Sequence, residues 1–291
     1  MLILISDAFD PSLPERLREF GEVTDDKSRL AEAEVVLIRS KTKCTREYLD
    51  GAPKLKLIIR GGVGLDNVDR EYAKQKGITV TNTPEASSVA VAELAMALML
   101  AAPNHLIRGH NGMAEGKWLK KELKRTELYQ KTLGLVGIGR IGTEVARRAR
   151  AFEMRVIAHD PFLKSHEVAE LKPLDAVLAE SDYISLHTPL TDETKGMINA
   201  DAIGKMKKGV IIVNTGRGKT IDEKAMVKAL EQGQVACYAT DVWPSDPPPE
   251  DCPITKAPNV VMLPHIGASS KENLLRIGDI VVRKIREHLK K

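Results

Sequence analysis

The feature of this sequence that most constrains its fold is a glycine-rich turn between two apolar runs. The apolar run 132–136 leads into Gly137-Ile138-Gly139-Arg140-Ile141-Gly142, and a second apolar run follows at 155–158. In a strand–turn–helix unit the first glycine makes the tight turn, the second lets the backbone approach a pyrophosphate, and the third lets the helix pack close to the strand. The pattern predicts a dinucleotide-binding unit, with an ordinary glycine turn as the alternative.

An acidic residue after the second apolar run indicates which dinucleotide is bound. Asp160 lies where an acid accepts hydrogen bonds from the ribose hydroxyls and repels a 2′-phosphate. The helix predicted over 141–151 offers free N–H groups and the positive end of its dipole to the pyrophosphate. We therefore expect NAD, rather than NADP, as the cofactor.

The position of this unit in the chain predicts two domains. Residues 1–131 precede it, which is enough for a separate domain in a chain of 291 residues. Short apolar runs alternate with helical patterns on both sides of the unit, so we expect an α/β protein with two doubly wound parallel sheets. We assign residues 1–92 and 269–291 to a substrate-binding domain and residues 93–268 to an NAD-binding domain.

The predicted elements follow from the same alternation. Besides the two strands of the glycine unit, strands are predicted at 2–5, 35–38, 55–59, 78–81, 183–186, 210–214, 235–241 and 260–263. Helices are predicted at 13–20, 46–50, 69–76, 173–179, 200–206, 223–232 and 269–289, with a long apolar helix from about residue 88. The first sheet then has four strands and the second six, and the last helix is expected to return to the first domain.

Composition and charge exclude several classes of protein. With 43% hydrophobic and 29% charged residues the chain has the composition of a globular protein, and a net charge of +4 is too small to indicate a nucleic-acid partner. The apolar stretch 89–102 contains Glu93 and is short for a membrane span. The run 1–5 lacks the charged lead of a signal peptide, and the three cysteines share no metal-binding spacing. We expect a cytoplasmic protein with no membrane segment and no metal site.

Polar residues directly follow three of the predicted strands in the second domain. In chain order they are Arg217, the pair Asp241 and Asp246, and His265. Because ligands of a doubly wound sheet bind beyond the carboxyl ends of its strands, we expect these side chains to form one site.

These residue types suit a hydride transfer between NAD and a hydroxy acid. A histidine can exchange the alcohol proton near neutral pH, and a carboxylate at its other ring nitrogen fixes the tautomer. The planar guanidinium of Arg217 would hold a substrate carboxylate and polarise the carbonyl beside it. The alternatives are a satisfied histidine at His265 and a solvated arginine at Arg217. The other six histidines show no ligand spacing and are interpreted as solvated or satisfied.

Five motifs occur together in the order and spacing of one enzyme family. They are residues 60–69, the glycine turn, Asn214-Thr215-Gly216-Arg217-Gly218, Asp241-Val242-Trp243 and Pro264-His265-Ile266-Gly267. Over nearly its whole length the chain resembles the D-isomer-specific 2-hydroxyacid dehydrogenases. The resemblance implies a Rossmann domain inserted into a flavodoxin-like substrate domain, with Arg217 as substrate anchor and His265 as acid/base. It also implies a homodimer formed through the long helix near Val89.

The resemblance implies a larger NAD site than the glycine turn and its acid. The implied set is Gly137, Gly139, Arg140, Ile141, Gly142, Asp160, Thr188, Pro189, Thr215, Gly216, Asp241, His265 and Gly267.

One position departs from the family's pattern. The family usually has glutamate as the partner of the histidine, in a pattern like Asp-Val-aromatic-x-x-Glu-Pro, where this chain has Asp246. Aspartate is one methylene shorter, which predicts a longer contact to His265 or a shifted loop. Asp246 keeps the role of carboxylate partner.

Further motifs indicate a phosphorylated substrate. Arg39-Ser40-Lys41-Thr42 and residues 60–64 and 264–270 resemble the family members that use NAD to oxidise 3-phosphoglycerate to 3-phosphohydroxypyruvate, in the first step of serine biosynthesis. Such a substrate is charged at both ends, so a second cationic site is needed besides Arg217. Arg39 and Arg60, which each follow a strand, are expected at the phosphate. The implied substrate-binding set is Arg39, Ser40, Arg60, Gly61, Gly62, Val63, Lys120, Arg217 and His265.

Several alternatives stay open. Lys120 is followed closely by Lys121, Lys124 and Arg125, so it is equally well explained as part of a solvated basic face. A glyoxylate or hydroxypyruvate reductase of the same family would need no arginines at 39 and 60. A dinucleotide-sensing corepressor with this fold would need an extended tail or a peptide groove, and we find neither in the sequence. The end at Lys291 resembles the short form, without a C-terminal regulatory domain, which predicts no feedback control by serine.

Overall fold

The computed structural model describes residues 1–290, which form two compact units. One unit comprises Met1–Ala90 together with the C-terminal segment that begins at Ala268, and the other comprises Val91–Gly267. The sequence placed the corresponding boundaries at 92/93 and 268/269.

Short strands alternate with short helices along most of the chain. The strands are β1 Leu2–Ile5, β2 Glu22–Thr24, β3 Val35–Ile38, β4 Leu57–Arg60, β5 Thr79–Asn82, β6 Thr132–Val136, β7 Arg155–His159, β8 Glu170–Leu171, β9 Tyr183–Leu186, β10 Val210–Asn214, β11 Val235–Thr240 and β12 Val260–Met262. The α-helices are α1 Leu13–Leu17, α2 Arg46–Asp50, α3 Arg70–Gln75, α4 Ser88–Ala101, α5 Leu106–Ala114, α6 Arg140–Ala151, α7 Leu174–Glu180, α8 Ala200–Gly204, α9 Glu223–Glu231 and α10 Lys271–His288. Short 3₁₀ helices lie at Arg18–Phe20, Lys27–Glu32, Gly218–Thr220 and Pro253–Lys256.

The strands form one parallel sheet in each unit. The first sheet has the order β2-β1-β3-β4-β5 and the second the order β12-β11-β10-β9-β6-β7-β8. In both sheets the strand order changes direction next to the first strand, as in a doubly wound fold. The predicted fold class, two doubly wound parallel-sheet domains, is confirmed.

Both faces of each sheet are covered, because successive side chains of a strand point to opposite faces. In β3, Val35 and Leu37 join one buried cluster of the first unit, while Val36 and Ile38 join another. The second sheet likewise separates two apolar clusters. This double burial explains why the central strands are uninterrupted apolar runs.

The structure differs from the predicted element list at the edges of the sheets. The first sheet has five strands and the second seven, since β2 and β8 were not predicted. Both are edge strands of two or three residues that mix polar and apolar side chains, and they are too short to show a period-two pattern. Helix α5 was not predicted either, because its sequence LIRGHNGMA contains two glycines and an asparagine.

The C-terminal helix α10 belongs to the first unit. Ser270 caps its N-terminus by accepting a hydrogen bond from the Asn273 N–H. Ile277, Val281 and Ile285 recur at helical spacing and are buried with residues of the first sheet.

Among residues 1–290, no single helix is long and apolar enough to cross a membrane. The consecutive helices α4 and α5 meet that requirement of length and composition only as a pair, bent by 63°.

Candidate active site

The glycine turn after β6 has the geometry of a pyrophosphate cradle. Gly137 has φ +88°, and a Cβ there would lie 3.0 Å from the backbone carbonyl of His187. Gly139 precedes α6, and a Cβ on it would meet no atom within 4 Å, so its backbone faces open space. A Cβ on Gly142 would lie 2.5 Å from the Gly137 carbonyl oxygen, so only glycine lets the helix start this close to the turn. Together with Arg140 and Ile141, which begin α6, this turn fits the cofactor predicted for it.

Asp160 is held beside that turn. It directly follows β7, which pairs with β6, and its Oδ2 accepts a hydrogen bond from the Ile138 N–H at 3.1 Å. Its Oδ1 accepts one from the Phe162 N–H at 3.0 Å. The carboxylate therefore lies where it could accept hydrogen bonds from the hydroxyls of the ribose next to the pyrophosphate.

The loops after β9 and β10 lie at the same edge of the second sheet. Thr188 and Pro189 follow β9, and Thr215 and Gly216 follow β10, the next strand in the sheet. A Cβ on Gly216 would lie 2.9 Å from the Leu186 carbonyl oxygen. The fold thus brings these four residues to the carboxyl edge that also carries the glycine turn.

Arg217 is held by a buried amide that the sequence did not single out. The side chain of Asn214, at the end of β10, accepts a hydrogen bond from the Gly216 N–H at 3.0 Å and donates one to the Arg217 carbonyl oxygen at 3.1 Å. The Arg217 guanidinium donates to the Gly216 carbonyl oxygen at 2.8 Å. Gly218 must lack a side chain, because a Cβ there would overlap the backbone of Trp243. The only signal in the sequence was a polar residue ending an apolar strand.

His265 and Asp246 are in direct contact. The Nδ1 of His265 lies 2.5 Å from the Oδ2 of Asp246, and both side chains are partly exposed. Of the two predicted consequences of the shorter side chain, the longer contact is wrong, and the shifted loop stays a prediction. The loop that carries Asp246 is fixed to the end of β12, because the Trp243 indole N–H donates to the Leu263 carbonyl oxygen at 2.9 Å.

The backbone of His265 has an unusual conformation that Asp241 supports. His265 has φ +56°, a left-handed value that is uncommon for a residue other than glycine. The next two N–H groups, of Ile266 and Gly267, donate to the two carboxylate oxygens of Asp241 at 2.8 and 2.7 Å. Burial raises the pKa of Asp241, although these two hydrogen bonds act in the opposite direction. Asp241 thus orients the histidine loop, and its predicted contact with NAD stays a prediction.

His187 is a satisfied histidine, one of the two interpretations given for the histidines outside the site. Its Nε2 lies 2.8 Å from the Ser185 hydroxyl and its Nδ1 3.5 Å from the Thr215 hydroxyl. Burial lowers the pKa of His187 to about 4, so the ring is neutral at physiological pH.

In the first unit, Arg39 and Arg60 lie at the carboxyl ends of adjacent strands. Ile38, the last residue of β3, is paired with Arg60, the last residue of β4. The Arg60 guanidinium lies over Gly62, where a side chain would overlap it. The Arg39 guanidinium donates to the Ala268 carbonyl oxygen at 2.8 Å and to the Ala8 carbonyl oxygen at 3.4 Å, and burial lowers its pKa.

Two polar side chains fix the loops that hold these arginines. Asp7 accepts hydrogen bonds from the Arg39 N–H at 2.6 Å and from the Thr42 hydroxyl at 2.7 Å, which anchors the loop containing Ser40. The Asn67 amide donates to the carbonyl oxygens of Arg39 and Thr42. A Cβ on Gly61 would lie 2.6 Å from the ring of Phe9, and the Val63 carbonyl oxygen accepts from the Asn82 amide.

The predicted substrate-binding residues are thus distributed over both units. Ser40, the two arginines and residues 61–63 lie in the first unit, whereas Lys120, Arg217 and His265 lie in the second. Lys120 is exposed in the segment between α5 and β6 and is separate in sequence from the strand-end loops.

The comparison with known proteins decides the family. Residues 96–267, more than half of the chain, match the family model described as D-isomer specific 2-hydroxyacid dehydrogenase, NAD binding domain. The chain belongs to this family. It is an oxidoreductase with NAD as its cofactor, as the glycine turn and Asp160 predicted.

Relatives within the family differ in their substrates. The chain is 48% identical over 263 residues to a hydroxypyruvate reductase of Thermotoga maritima, covering 89% of this chain and 86% of that protein. It is 42% identical over 302 residues to a D-3-phosphoglycerate dehydrogenase of Methanocaldococcus jannaschii, covering 99% of this chain but 57% of that protein. The chain therefore spans little more than half the length of this phosphoglycerate dehydrogenase.

The structural similarity extends over the whole chain. A crystal structure of D-lactate dehydrogenase from Aquifex aeolicus, complexed with NAD and lactic acid, matches it with a TM-score of 0.89 at 31% identity. The match covers 100% of this chain and 96% of the other.

Proposed function

We propose that this protein is a D-3-phosphoglycerate dehydrogenase, which oxidises 3-phosphoglycerate to 3-phosphohydroxypyruvate with NAD in the first step of serine biosynthesis. The observation that carries the proposal is the pair of arginines at the ends of β3 and β4. A phosphate is best held by more than one cationic donor, and adjacent parallel strands present their carboxyl ends side by side. The relative of Methanocaldococcus jannaschii adds support by its name and by its match to 99% of this chain.

Arg217 and His265 have different roles at the reacting end of the substrate, namely binding and proton transfer. The Arg217 guanidinium holds the carboxylate and polarises the adjacent C2 oxygen. His265 takes the hydroxyl proton at Nε2, because its Nδ1 is engaged with Asp246. NAD supplies the hydride acceptor when it is bound. The C2–O bond becomes a carbonyl, and the carboxylate of Asp246 stabilises the imidazolium that forms.

Arg60 is one of the two candidates for the phosphate. Its guanidinium lies against Gly62 in the loop that follows β4. Arg39 already donates to two carbonyl oxygens and is partly desolvated, so part of its hydrogen-bonding capacity serves the loop itself.

The second candidate is reduction of hydroxypyruvate, the unphosphorylated analogue of the product. Two observations favour it: the 48% identity to the hydroxypyruvate reductase and the use of Arg39 within the fold. The same Arg217, Asp246 and His265 would serve this reaction, with the proton moving from His265 to the C2 oxygen.

A substrate panel separates the two candidates. We would measure kcat/KM for oxidation of 3-phosphoglycerate and D-glycerate, and for reduction of their 2-oxo forms, with NAD or NADH. The proposal expects the phosphorylated member to be preferred at least tenfold in each pair, the value of about 1.4 kcal/mol of extra binding. Preference for the unphosphorylated member would support the reductase instead.

We further propose a cytoplasmic homodimer. Leu106, Ile107, Met113 and Trp118 are each more than half exposed. They lie in or near a groove of about 670 Å³ in the second unit, lined by α4, α5 and the edge of the sheet at β12. An apolar surface of this kind is typical of a contact with a second copy.

The proposed cytoplasmic location is supported by the three cysteines, which are buried free thiols and suit a reducing compartment.

A further inference from the structure

The amide of Asn214 connects two strands with the loop of Arg217. It is fully buried at the end of β10. One N–H donates to the Arg217 carbonyl oxygen at 3.1 Å and the other to the Tyr238 hydroxyl at 3.2 Å, while the amide oxygen accepts from the Gly216 N–H at 3.0 Å. An amide with both donors and its acceptor engaged has one allowed orientation.

Tyr238 supplies the only one of these three contacts that comes from outside the loop. It lies on β11, the neighbour of β10, and is 3% exposed within the apolar cluster of that face. Burial raises the pKa of its phenol, so the hydroxyl is neutral and can accept the amide N–H. Because its ring is packed in the apolar cluster, the hydroxyl is an acceptor in a fixed position for the Asn214 amide.

The backbone at Arg217 has little freedom to compensate for a change in that amide. The Arg217 carbonyl oxygen also accepts a hydrogen bond from the Thr220 hydroxyl at 2.7 Å. On the other side, Gly218 is packed against the backbone of Trp243. The direction in which the Arg217 side chain leaves the loop is thus set by groups that are buried beneath it.

We propose that Tyr238 is a positioning residue for the carboxylate site: its hydroxyl orients the Asn214 amide, which orients the backbone of Arg217. The inference rests on the proposed role of Arg217 as substrate anchor. We expect the hydroxyl to act more strongly on binding of the acid than on binding of NAD. The Asn214 N–H groups link Tyr238 to the Arg217 backbone, whereas the Gly216 N–H is held by the oxygen of the same amide.

Tyr238→Phe tests this inference, since it removes the hydroxyl and leaves the packing of the ring intact. We expect KM to rise about 3- to 10-fold for both 3-phosphoglycerate and D-glycerate, because both carry the carboxylate. This is about 0.6–1.4 kcal/mol, the range of one neutral hydrogen bond. The KM for NAD should stay within twofold.

Tyr183→Phe is the matched control. Tyr183 is an equally buried tyrosine on β9, and its hydroxyl donates to the Glu127 carbonyl oxygen at 3.4 Å, away from Arg217. It should lower the melting temperature about as much as Tyr238→Phe does and leave the KM for the acids unchanged. If Tyr238→Phe fails to fold, Thr220→Val removes the hydrogen bond from the Thr220 hydroxyl to the Arg217 carbonyl oxygen and should raise KM for the acids in the same way.

A double-mutant cycle separates this inference from the proposed anchor. In an Arg217→Lys background, Tyr238→Phe should change KM for the acids less than 1.5-fold, because the oriented guanidinium is already gone. A Tyr238→Phe effect of equal size in both backgrounds, or equal on NAD and acid, would overturn the inference while leaving the anchor in place. An unchanged KM in Arg217→Lys alone would overturn the anchor, and the inference with it.

Discussion

At the scale of single residues, the proposed catalytic pair of His265 and Asp246 depends on a backbone conformation that is costly to form. A left-handed non-glycine residue costs on the order of 1–3 kcal/mol and persists only where its surroundings fix it. At His265 the fixing group is Asp241, which accepts both following N–H groups. The ring then meets Asp246 at Nδ1, which leaves Nε2 for proton transfer.

We predict that His265→Gln lowers kcat by about 10²–10⁴-fold, the scale of positioned acid–base catalysis. Asp246→Asn should lower kcat less, because the ring stays in place while its tautomer and charge are no longer supported. Steady-state kinetics with the preferred acid and NAD measures both. His288→Gln, in the last turn of α10, is the control and should have the wild-type kcat. An unchanged kcat in His265→Gln would remove this residue from the mechanism.

The sequence analysis named candidate catalytic side chains but not the residues that hold them in place. Arg217, Asp246 and His265 could be named as candidates because each lies within a few residues of the end of an apolar run, and ligands of such a sheet bind at its strand ends. The distance from Asp246 to His265 could not be predicted, since it depends on the Trp243 indole that fixes the loop. The Asn214–Tyr238 contact joins residues 24 positions apart, which only the pairing of β10 with β11 brings together.

At the scale of elements, we expect the β6–turn–α6 unit, together with Asp160, to determine the choice of cofactor. The Asp160 carboxylate accepts one hydrogen bond from the Ile138 N–H of the turn, and its charge is predicted to lie next to the ribose of NAD. The Asp160 side chain therefore has two roles, since its charge selects the cofactor and its hydrogen bond supports the turn. Substitutions that remove the charge but keep the hydrogen bond are needed to separate these roles.

We predict that the wild type prefers NAD to NADP and that Asp160→Ala improves the use of NADP about tenfold, since a like charge near the 2′-phosphate is removed. Asp160→Asn should show a similar gain and keep an acceptor for the Ile138 N–H, so it should lose less activity with NAD. The measurement is kcat/KM for the two cofactors in each variant. Equal efficiency with NAD and NADP in the wild type would contradict the assignment of Asp160.

Elements with a clear apolar period were predictable, and those without one were not. The central strands β3, β6 and β10 are buried along their whole length and were placed within a residue. The edge strands β2 and β8 were missed because pairing on one side, rather than burial, defines them. Helix α5 forms from a sequence of weak helix propensity, where tertiary packing overrides the local preference.

At the scale of the whole molecule, His187 links stability to pH. Its pKa of about 4 in the folded protein lies below the ordinary value of 6.5, so the unfolded chain binds a proton more readily. The neutral ring therefore contributes stability that is fully present above pH 6.5 and is lost as the pH falls from 6.5 to about 4. The shift corresponds to at most about 3 kcal/mol.

We predict that the free energy of unfolding of the wild type falls more between pH 7 and pH 4.5 than that of His187→Gln, by about 1–3 kcal/mol. Glutamine retains a donor and an acceptor for the hydroxyls of Ser185 and Thr215 but does not titrate. Urea denaturation at the two pH values gives the comparison. Parallel pH profiles for the two proteins would show that His187 does not control acid stability.

The proposed dimer gives a second prediction for the whole molecule. Sedimentation equilibrium should give the wild type twice the chain mass of 32.0 kDa. Ile107→Glu, on the exposed face of α5, should shift the protein towards the monomer, because a charge would be buried in the contact. Phe152→Glu, an exposed aromatic position at the end of α6, is the control and should remain dimeric. A wild type that sediments at the chain mass would refute the dimer.

The substrate is the central claim, and the contrast between two acids in Arg60→Ala tests it most directly. Because a charged hydrogen bond is worth about 1.5–3 kcal/mol, we predict that KM for 3-phosphoglycerate rises about 10–150-fold. KM for D-glycerate should change little, since Arg217 still holds its carboxylate, and Arg70→Ala, in the first turn of α3, should change neither. An equal rise for both acids in Arg60→Ala would make Arg60 a structural residue of its loop and would contradict the assignment of a phosphorylated substrate.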